Sequence, residues 1–457
     1  MRKRSVSPSY GRNQPSNRVV RTMRGSGTIA HTGVSGPSAV VDELHRRDGT
    51  NPTSTRGQKI STAMNDLMDE VYGGTPHFPP IGGRTQQKDG ESGRFCRQKT
   101  FIRSTAVPDS WRCGPENQSG RKFDASDRNL LCMDVFDSQS LCVVGSADHG
   151  LRVFDLRSGK EKKNLYTKNH GHTEWVTCCR FLPDSGKIIS GGMDSKLCLW
   201  EASGPVRCTD LLGHTGSISQ VEAASSGGMV VSCSYDRTLR FWDCASGGRC
   251  VGTLSGHKAP VMMFSWCGTQ VLSGDRQGTA KVWDAETGDC LSTMATKRGQ
   301  IGSLWHMLHT SVGLLSAIGD QGGVLSVMDF PRTGGKPIFQ GEMHPGGVVS
   351  SIRSIDECPY LVTAGADKVI LTLDPRAGFS PVHRFTEHRD FIYSMETFGP
   401  LVLSGAGNGW LLVHDALEGR CLYGLGANGA AVREIRATLN NLVAAGDDGS
   451  AMVYDFS

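Results

Sequence analysis

Histidine, serine, aspartate and tryptophan recur together in this sequence at fixed distances. His172, Ser190, Asp194 and Trp200 form one set, and a second set repeats the same offsets 42 residues later. The first three residue types are those of a nucleophilic triad, but a catalytic set is needed only once, in a cleft. A recurring set is typical of structure, and polar groups under a tight turn satisfy one another. We therefore predict hydrogen-bond networks rather than catalytic sites from His172, Ser190, Asp194, Trp200, His214, Ser232, Asp236, Trp242, His257, Ser273 and Trp283.

The elements that position these residues are short apolar strands, and most of them end in an aromatic or apolar residue followed by an acid. The acids recur at intervals of 40 to 46 residues, the period expected for the blades of a β-propeller. High glycine content, 58 residues, favours many strands joined by tight turns. The strand-ending acids are Asp155, Glu201, Asp243, Asp284, Asp329, Asp374, Asp415 and Asp455.

Gly-His pairs precede three of these strand ends, at Gly171-His172, Gly213-His214 and Gly256-His257. With the following Trp-Asp or Trp-Glu pairs they resemble the WD-repeat family, and the resemblance covers about three quarters of the chain. It implies an all-β propeller of eight blades, with seven as the alternative. Several units depart from the pattern, and we expect the hydrogen-bond network to hold their turns less firmly. The departures are Gln277 and Asn408 in place of Asp, Leu373 and His414 in place of Trp, and a unit ending at Asp329 that has Gly322 at the turn and no histidine.

The last repeat ends at Tyr454-Asp455, so the outer strand of the final blade must come from elsewhere. Lys122-Phe123-Asp124 lies ten residues before Met133, as Arg384-Phe385-Thr386 lies ten before Met395. This spacing predicts that a strand near 121–125 closes the ring, which removes exposed sheet edges. We expect the propeller domain to span 118–457.

Residues 1–110 differ from the rest of the chain. Residues 1–100 carry sixteen Lys or Arg against eight Asp or Glu, and all eight Trp lie beyond residue 110. A basic, low-complexity, mostly disordered extension is predicted, with one short amphipathic helix over 61–72. Such a tail suits an acidic surface, either nucleic acid or a microtubule.

The rest of the sequence contains few residue patterns typical of metal binding or catalysis. The fifteen cysteines include no C-x-x-C pair, which argues against a zinc site, and no glycine-rich segment has the P-loop pattern. We therefore predict no metal, no cofactor, no small-molecule substrate and no enzymatic activity. No apolar run approaches the length of a membrane span and no secretory signal is evident.

The resemblance places partner-binding positions before the turn aspartate and after the Gly-His pair. Aromatic and arginine residues there are typical of binding hot spots, although large aromatics also wedge between blades. The candidates are Trp175, Tyr235, Arg276, Phe391 and Trp410.

These features predict a non-catalytic scaffold for protein complexes, located in the cytoplasm, on the cytoskeleton or in cilia, with the nucleus as an alternative. A second hypothesis is a substrate receptor of a cullin-RING ubiquitin ligase. It is suggested by Phe154-Asp155-Leu156-Arg157 and Leu373-Asp374-Pro375-Arg376, which resemble the W-D-x-R adaptor motif without its Trp. Arg157 and Arg376 are the candidate adaptor contacts.

Overall fold

A computed structural model describes residues 107–166, 170–183, 185–225, 227–309, 313–330, 336–355 and 358–456. The predicted extension up to residue 106, including the helix expected over 61–72, lies outside the described residues. The described residues form an all-β fold of eight four-stranded antiparallel sheets. The prediction of eight blades is confirmed, and the seven-bladed alternative is wrong.

Each of blades 1 to 7 is a meander whose four strands follow one another in sequence. Blades 1 to 4 contain β2 (Leu130–Phe136), β3 (Leu141–Ser146), β4 (Leu151–Asp155), β5 (Glu161–Asn164), β6 (Val176–Phe181), β7 (Ile188–Gly192), β8 (Leu197–Trp200), β9 (Cys208–Leu211), β10 (Ile218–Ala223), β11 (Met229–Ser234), β12 (Thr238–Asp243), β13 (Arg249–Ser255), β14 (Val261–Cys267), β15 (Gln270–Asp275), β16 (Thr279–Asp284) and β17 (Cys290–Ala295).

The remaining blades follow the same order, except that blade 8 takes its outer strand from the beginning of the described chain. They contain β18 (Ile301–His309), β19 (Gly313–Asp320), β20 (Val324–Met328), β21 (Pro337–Glu342), β22 (Val349–Ser354), β23 (Leu361–Gly365), β24 (Ile370–Asp374), β25 (Ser380–Phe385), β26 (Ile392–Phe398), β27 (Leu401–Ala406), β28 (Trp410–Asp415), β29 (Arg420–Gly426), β30 (Val432–Ala437), β31 (Asn441–Gly446), β32 (Ser450–Asp455) and β1 (Arg121–Asp124).

Burial falls from the inner strands to the outer strands of each blade. Every residue of β14 is buried, whereas β17 in the same blade alternates exposed and half-buried residues. This gradient explains the sequence pattern, because strands covered on both faces read as continuous apolar runs and edge strands alternate. The core lies between neighbouring blades, as in the cluster that joins Leu141 and Val153 of blade 1 to Cys179 and Trp200 of blade 2. The first strands of adjacent blades contact one another around the complete ring.

Blade 8 closes the ring as the sequence predicts. β1 pairs antiparallel with β32, and Phe123 lies opposite Ala451. The Phe123 ring stacks on Phe154 of blade 1, with 5.4 Å between centroids. Arg121 Nη2 lies 2.7 Å from Asp455 Oδ1, so the closing strand is joined to the last strand by charge as well as by backbone pairing.

A five-residue helix, α1 (Asp109–Cys113), precedes the closing strand and was not predicted. Its Trp111 is fully buried and stacks on Phe456, with ring centroids 3.9 Å apart. The Trp111 indole N–H donates to the carbonyl of Leu439 at 3.0 Å, and the Tyr423 hydroxyl donates to the Trp111 carbonyl at 2.7 Å. The packed chain therefore begins before residue 110.

The two ends of the ring differ in the turns they carry. At one end, which we call the top face, lie the turns between the second and third strand of each blade and the loops that lead into each first strand. The opposite end is the bottom face. None of the helices in the described part of the chain is long and apolar enough to span a membrane.

Candidate binding surface

The predicted polar networks lie just beneath the top face. In blade 2, His172 Nε2 and Ser190 Oγ are 2.7 Å apart, and His172 Nδ1 lies 3.0 Å from Asp194 Oδ1. The indole N–H of Trp200 donates to Ser190 Oγ at 2.9 Å. Asp194 also accepts the backbone N–H of Thr173 at 2.9 Å, which fixes the loop that leads into the first strand.

Blade 3 repeats the network with the same partners. His214 Nδ1 lies 2.7 Å from Asp236 Oδ2, and His214 Nε2 lies 2.8 Å from Ser232 Oγ. Trp242 donates to Ser232 Oγ at 2.8 Å. Thr238 adds a hydroxyl that donates to Asp236 Oδ1 at 2.7 Å. The sets predicted from sequence in blades 2 and 3 are therefore each brought together as one hydrogen-bonded chain.

The histidines of these networks lower the pKa of the aspartates that they contact. Burial alone would raise the pKa of Asp194, but the hydrogen bond and the charge of His172 lower it below its ordinary value. The pKa of Asp236 is lowered in the same way by His214 and Thr238 against the effect of burial. Both aspartates therefore stay ionised and accept hydrogen bonds throughout the physiological range.

The Ser-His-Asp geometry resembles a nucleophilic triad, but the hydroxyl has no access to a substrate. Ser190 and Ser232 are completely buried, and each hydroxyl oxygen already accepts an indole N–H. A nucleophile needs an approach path and a free lone pair. The arrangement supports the top-face turns rather than chemistry.

Blade 4 corrects one expectation. Gln277 stands where the pattern has Asp, and the blade was expected to be less well pinned. Instead, Asp275, two residues earlier, supplies the carboxylate: its Oδ2 lies 2.9 Å from His257 Nδ1, and its Oδ1 accepts the N–H of Gln277 and of Thr279. Ser273 and Trp283 complete the set, with His257 Nε2 and Trp283 Nε1 both 2.7 Å from Ser273 Oγ. The expectation was wrong because a strand-end carboxylate reaches the same histidine from a shifted position.

Blades 6 and 8 keep the turn carboxylate, and each replaces a different member of the network. In blade 6, His344 Nδ1 lies 2.9 Å from Asp367, and Thr363 replaces the serine at 2.9 Å from Nε2. Blade 8 has no histidine at this place, and Asn428 Nδ2 lies 3.1 Å from Asp448. The turn aspartates in the described residues are Asp148, Asp194, Asp236, Asp275, Asp320, Asp367 and Asp448.

A repeated backbone hydrogen bond places four of the candidate binding residues at equivalent positions. In each blade, the N–H of the residue following the second strand donates to the carbonyl of the residue just before the first strand. Examples are Met193 to Trp175 at 3.0 Å, and Gly407 to Phe391 at 2.9 Å. Tyr235 and Arg276 are donors of the same bond in blades 3 and 4. All four therefore lie on the rim of the top face.

Exposure separates these candidates. Phe391 is 39% exposed, although its position also allows it to wedge between blades. Trp175, Tyr235 and Arg276 are half-buried. Tyr235 packs against the cluster that contains Met262 and Met263 at the boundary with blade 4, so part of its ring serves the core.

Trp410 comes from a different position, the start of the third strand of blade 7, and it is 51% exposed. A Cβ at Gly424 would lie 3.4 Å from its ring, so this glycine on the adjacent outer strand leaves room for the indole. Trp410 and Phe391 together give blade 7 two exposed aromatic side chains at its top end.

Arg157 and Arg376 lie on the bottom face, on blades 1 and 6. The Arg376 guanidinium donates two hydrogen bonds to nearby Asp374, at 3.1 and 3.0 Å. Arg157 Nε donates to Ser140 Oγ at 3.0 Å. Because blades 7 and 8 lie between them, the two arginines do not form one continuous patch.

The central channel contains buried charges that sequence reasoning missed. Fifth positions of six inner strands carry Asp134, Arg180, Glu222, Arg353, Glu396 and Arg436. Arg180 Nη1 lies 3.5 Å from Glu434 of blade 8, and Arg436 Nη1 lies 3.5 Å from Glu396 of blade 7. Burial raises the pKa of Glu222 to about 8, against the opposing effect of the arginines. Charges that lie on separate strands, about one blade apart in sequence, give no local signal; only the blade register aligns them.

The comparisons with known proteins agree with this geometry. The family model described as "WD domain, G-beta repeat" matches residues 162–201, 205–243 and 248–284. Mitochondrial division protein 1 of Kluyveromyces lactis is 26% identical over 172 residues, which are 37% of this chain and 19% of that protein. The chain thus spans about a fifth of this relative.

Two further proteins match a larger part of the chain. The DENN domain and WD repeat-containing protein SCD1 of Arabidopsis thaliana is 27% identical over 389 residues, 83% of this chain and 30% of that protein. The structure of Chaetomium thermophilum Sqt1 bound to the N-terminus of ribosomal protein L10 superimposes with a TM-score of 0.66 at 17% identity, covering 74% of this chain and all of Sqt1. The chain therefore contains three WD repeats, and they lie within a closed β-propeller of eight sheets.

Proposed function

We propose that the protein is a non-catalytic scaffold that assembles protein complexes on the top face of its propeller. The observation that carries this proposal is the pair of exposed aromatic residues, Phe391 and Trp410, at the top of blade 7. Exposed aromatic side chains on a rigid frame bind partners at low entropic cost, because the frame holds them before binding. Trp175, Tyr235 and Arg276 extend the same rim through blades 2 to 4.

Two further observations support the proposal. The polar groups with triad-like geometry are buried and mutually satisfied, so they are unsuited to catalysis. Sqt1, which has a similar fold, is described in complex with a segment of a ribosomal protein. Because the sequence identity to Sqt1 is low, the similarity supports the same fold for this chain but not the same partner.

The test is a comparison of matched variants in affinity purification from the source cell. Phe391→Ala combined with Trp410→Ala should lose the partners that copurify with the wild-type chain. Leu417→Ala is the control, because Leu417 is 43% exposed in the same blade but lies in a bottom-face turn. Retention of every partner by the double variant would contradict the proposed surface.

A cytoplasmic setting on the cytoskeleton or in cilia, with the nucleus as the alternative, belongs to the same proposal. It is supported only by the basic character of residues 1–100, which suits an acidic polymer surface. Imaging of a tagged full-length chain, and of a variant with the seven basic residues of the first 24 replaced by Gln, tests it. Unchanged localisation of the variant would contradict a role of these basic residues in localisation.

The separation of Arg157 and Arg376 in the ring gives the ubiquitin-ligase hypothesis no added support. One adaptor would need to reach across two blades to contact both arginines. Capture of a cullin adaptor that is lost on Arg157→Ala and Arg376→Ala would restore that hypothesis.

A further inference from the structure

Two cysteines and an aspartate meet at the outer edge of blade 2. Cys198 lies on β8, and Cys208 and Asp210 lie on β9, where Cys198 is directly opposite Asp210. Their sulfur and carboxylate atoms all lie within 4.8 Å of one another, the one such His, Cys, Asp or Glu group found among the described residues. They come together through strand pairing, and the search for C-x-x-C spacing could not reveal them.

The two sulfur–oxygen distances fit a common metal ion. Asp210 Oδ1 lies 3.6 Å from Cys198 Sγ and 3.3 Å from Cys208 Sγ. For zinc bound at about 2.3 Å from sulfur and about 2.0–2.2 Å from oxygen, a tetrahedron has sulfur–oxygen edges of about 3.5 Å. The Oδ2 atom of Asp210 is held at 2.8 Å by Lys196 Nζ, which leaves Oδ1 facing the two sulfurs.

The same place in the two following blades is filled by a positively charged side chain. Arg240 Nη1 lies 3.8 Å from Cys250 Sγ in blade 3, and Lys281 Nζ lies 3.8 Å from Cys290 Sγ in blade 4. Blade 2 has a thiol in place of that cation and a carboxylate in place of a threonine. The equivalents by strand register are Arg240, Cys250 and Thr253 in blade 3 and Lys281, Cys290 and Thr293 in blade 4.

The site is open on one side. Cys198 is fully buried, Cys208 is half-buried, and the Asp210 side chain is 40% exposed. The hydrogen bond with Cys208, burial and the nearby Asp210 charge all raise the pKa of Cys198. Without a cation this thiol therefore stays protonated at neutral pH. A divalent ion reverses that balance, because the ion replaces the protons of the thiols it binds.

We propose that Cys198, Cys208 and Asp210 bind one Zn²⁺ ion, with the fourth position open to solvent. Two zinc–sulfur bonds and one zinc–oxygen bond form, and the two thiol protons pass to the buffer. His172 is not a ligand, because both of its ring nitrogens are already engaged, Nδ1 by Asp194 and Nε2 by Ser190. The ion would join β9 to β8 at the outer edge of blade 2, away from the top-face aromatic residues of blade 7.

The test is zinc binding by the purified full-length chain in a phosphine reductant, without an affinity tag. Competition with a chromophoric chelator should give one tightly bound Zn²⁺ per chain that excess Mg²⁺ or Ca²⁺ does not displace. Co²⁺ should give the near-ultraviolet charge-transfer band of thiolate ligands. Hydrogen exchange in Cys208–Leu211 should slow on zinc addition.

Matched variants decide the assignment. Cys208→Ser and Asp210→Asn should each weaken zinc binding by at least about 10-fold, since loss of an outer-shell partner alone costs about 10–100-fold. Cys250→Ser, the equivalent position in blade 3, should bind zinc as the wild-type chain does. Equal zinc binding by Cys208→Ser, or uptake of no zinc by the reduced wild-type chain, would overturn the proposal.

Discussion

At the scale of single residues, the serine hydroxyls beneath the top-face turns of blades 3 and 7 have different side-chain partners. In blade 3 the Ser232 hydroxyl serves both His214 Nε2 and the Trp242 N–H, and it is completely buried. In blade 7 the equivalent Ser404 hydroxyl serves His388 at 2.7 Å, and His414 stands where the other network has tryptophan. The Ser232 hydroxyl therefore has two of these side-chain partners, whereas the Ser404 hydroxyl has one.

Replacing Ser232 by Ala should lower the free energy of unfolding by about 2–3 kcal/mol, because two buried polar groups lose their partner. Ser404→Ala should cost about 1–2 kcal/mol, since one buried nitrogen is left unpaired. Urea unfolding followed by tryptophan fluorescence measures both. Equal losses in the two variants would show that the tryptophan bond to Ser232 contributes nothing.

His306 makes stability depend on pH. It is completely buried, neither ring nitrogen has a hydrogen-bond partner among the residues that the structure describes, and burial lowers its pKa to about 4. The unfolded chain, with an ordinary histidine pKa of about 6.5, binds more protons between these values, so stability falls as pH drops from about 6.5 towards 4. The folded state keeps this histidine neutral.

The free energy of unfolding of the wild-type chain should fall when the pH is lowered from 7.5 to 5.5. In His306→Phe this fall should be smaller by about 1 kcal/mol. The readout is the change in urea midpoint between the two pH values, which is independent of the absolute stability of the variant. A variant with the same pH dependence as the wild-type chain would assign the effect to other groups.

Much of this residue-level arrangement could be predicted from sequence, and the exceptions have physical causes. The sets around His172 and His214 form as expected because their offsets are fixed by one strand pair and one turn. Asp275 was missed because a carboxylate can reach the same imidazole from two backbone positions, and sequence spacing recognises only one. The Cys198, Cys208 and Asp210 group was missed because its members meet by cross-strand register.

At the scale of elements, α1 fastens the beginning of the packed chain to blades 7 and 8. Trp111 is enclosed by residues of both blades, among them Leu401, Leu442 and Phe456. Arg112 adds ion pairs to Asp415 and Glu418 at the bottom of blade 7. The helix therefore holds the chain close to β1, the strand that closes the ring.

Trp111→Ala should lower the free energy of unfolding by about 3–5 kcal/mol, the usual cost of removing a buried tryptophan. Because the lost contacts lie beside the closing strand, amide protection should fall most in β1 and β32 and least in blade 4. Hydrogen exchange with mass spectrometry gives both values. A uniform loss of protection over all eight blades would contradict a local role for α1.

The closing strand was predictable and α1 was not. β1 repeats the spacing of another outer strand, so the repeat itself locates it. A helix of five residues has too few turns to show amphipathic periodicity, and one tryptophan in a polar stretch gives no register. The unit ending at Asp329 shows the opposite case: its motif residues are lost, yet β18 to β21 form a complete blade because the strand length and the Asp320 turn remain.

At the scale of the whole molecule, the ring is closed both at its outside and in its channel. β1 and β32 close the outside, while Arg436 of blade 8 reaches Asp134 of blade 1 and Glu396 of blade 7 in the channel. Buried ion pairs cost desolvation, and breaking one side is more costly than replacing both. The result is a fixed frame on which Phe391 and Trp410 are presented at one end.

On the proposed function, partners bind this frame at its top face. The most direct measurement is hydrogen exchange of the full-length chain, free and in its copurified complex, resolved to the individual turns. Binding should increase protection around Phe391, Gly407 and Trp410, and leave the bottom turn at Leu417 unchanged. Protection confined to the bottom-face turns, with the top of blade 7 exchanging as in the free chain, would contradict partner binding at the top face.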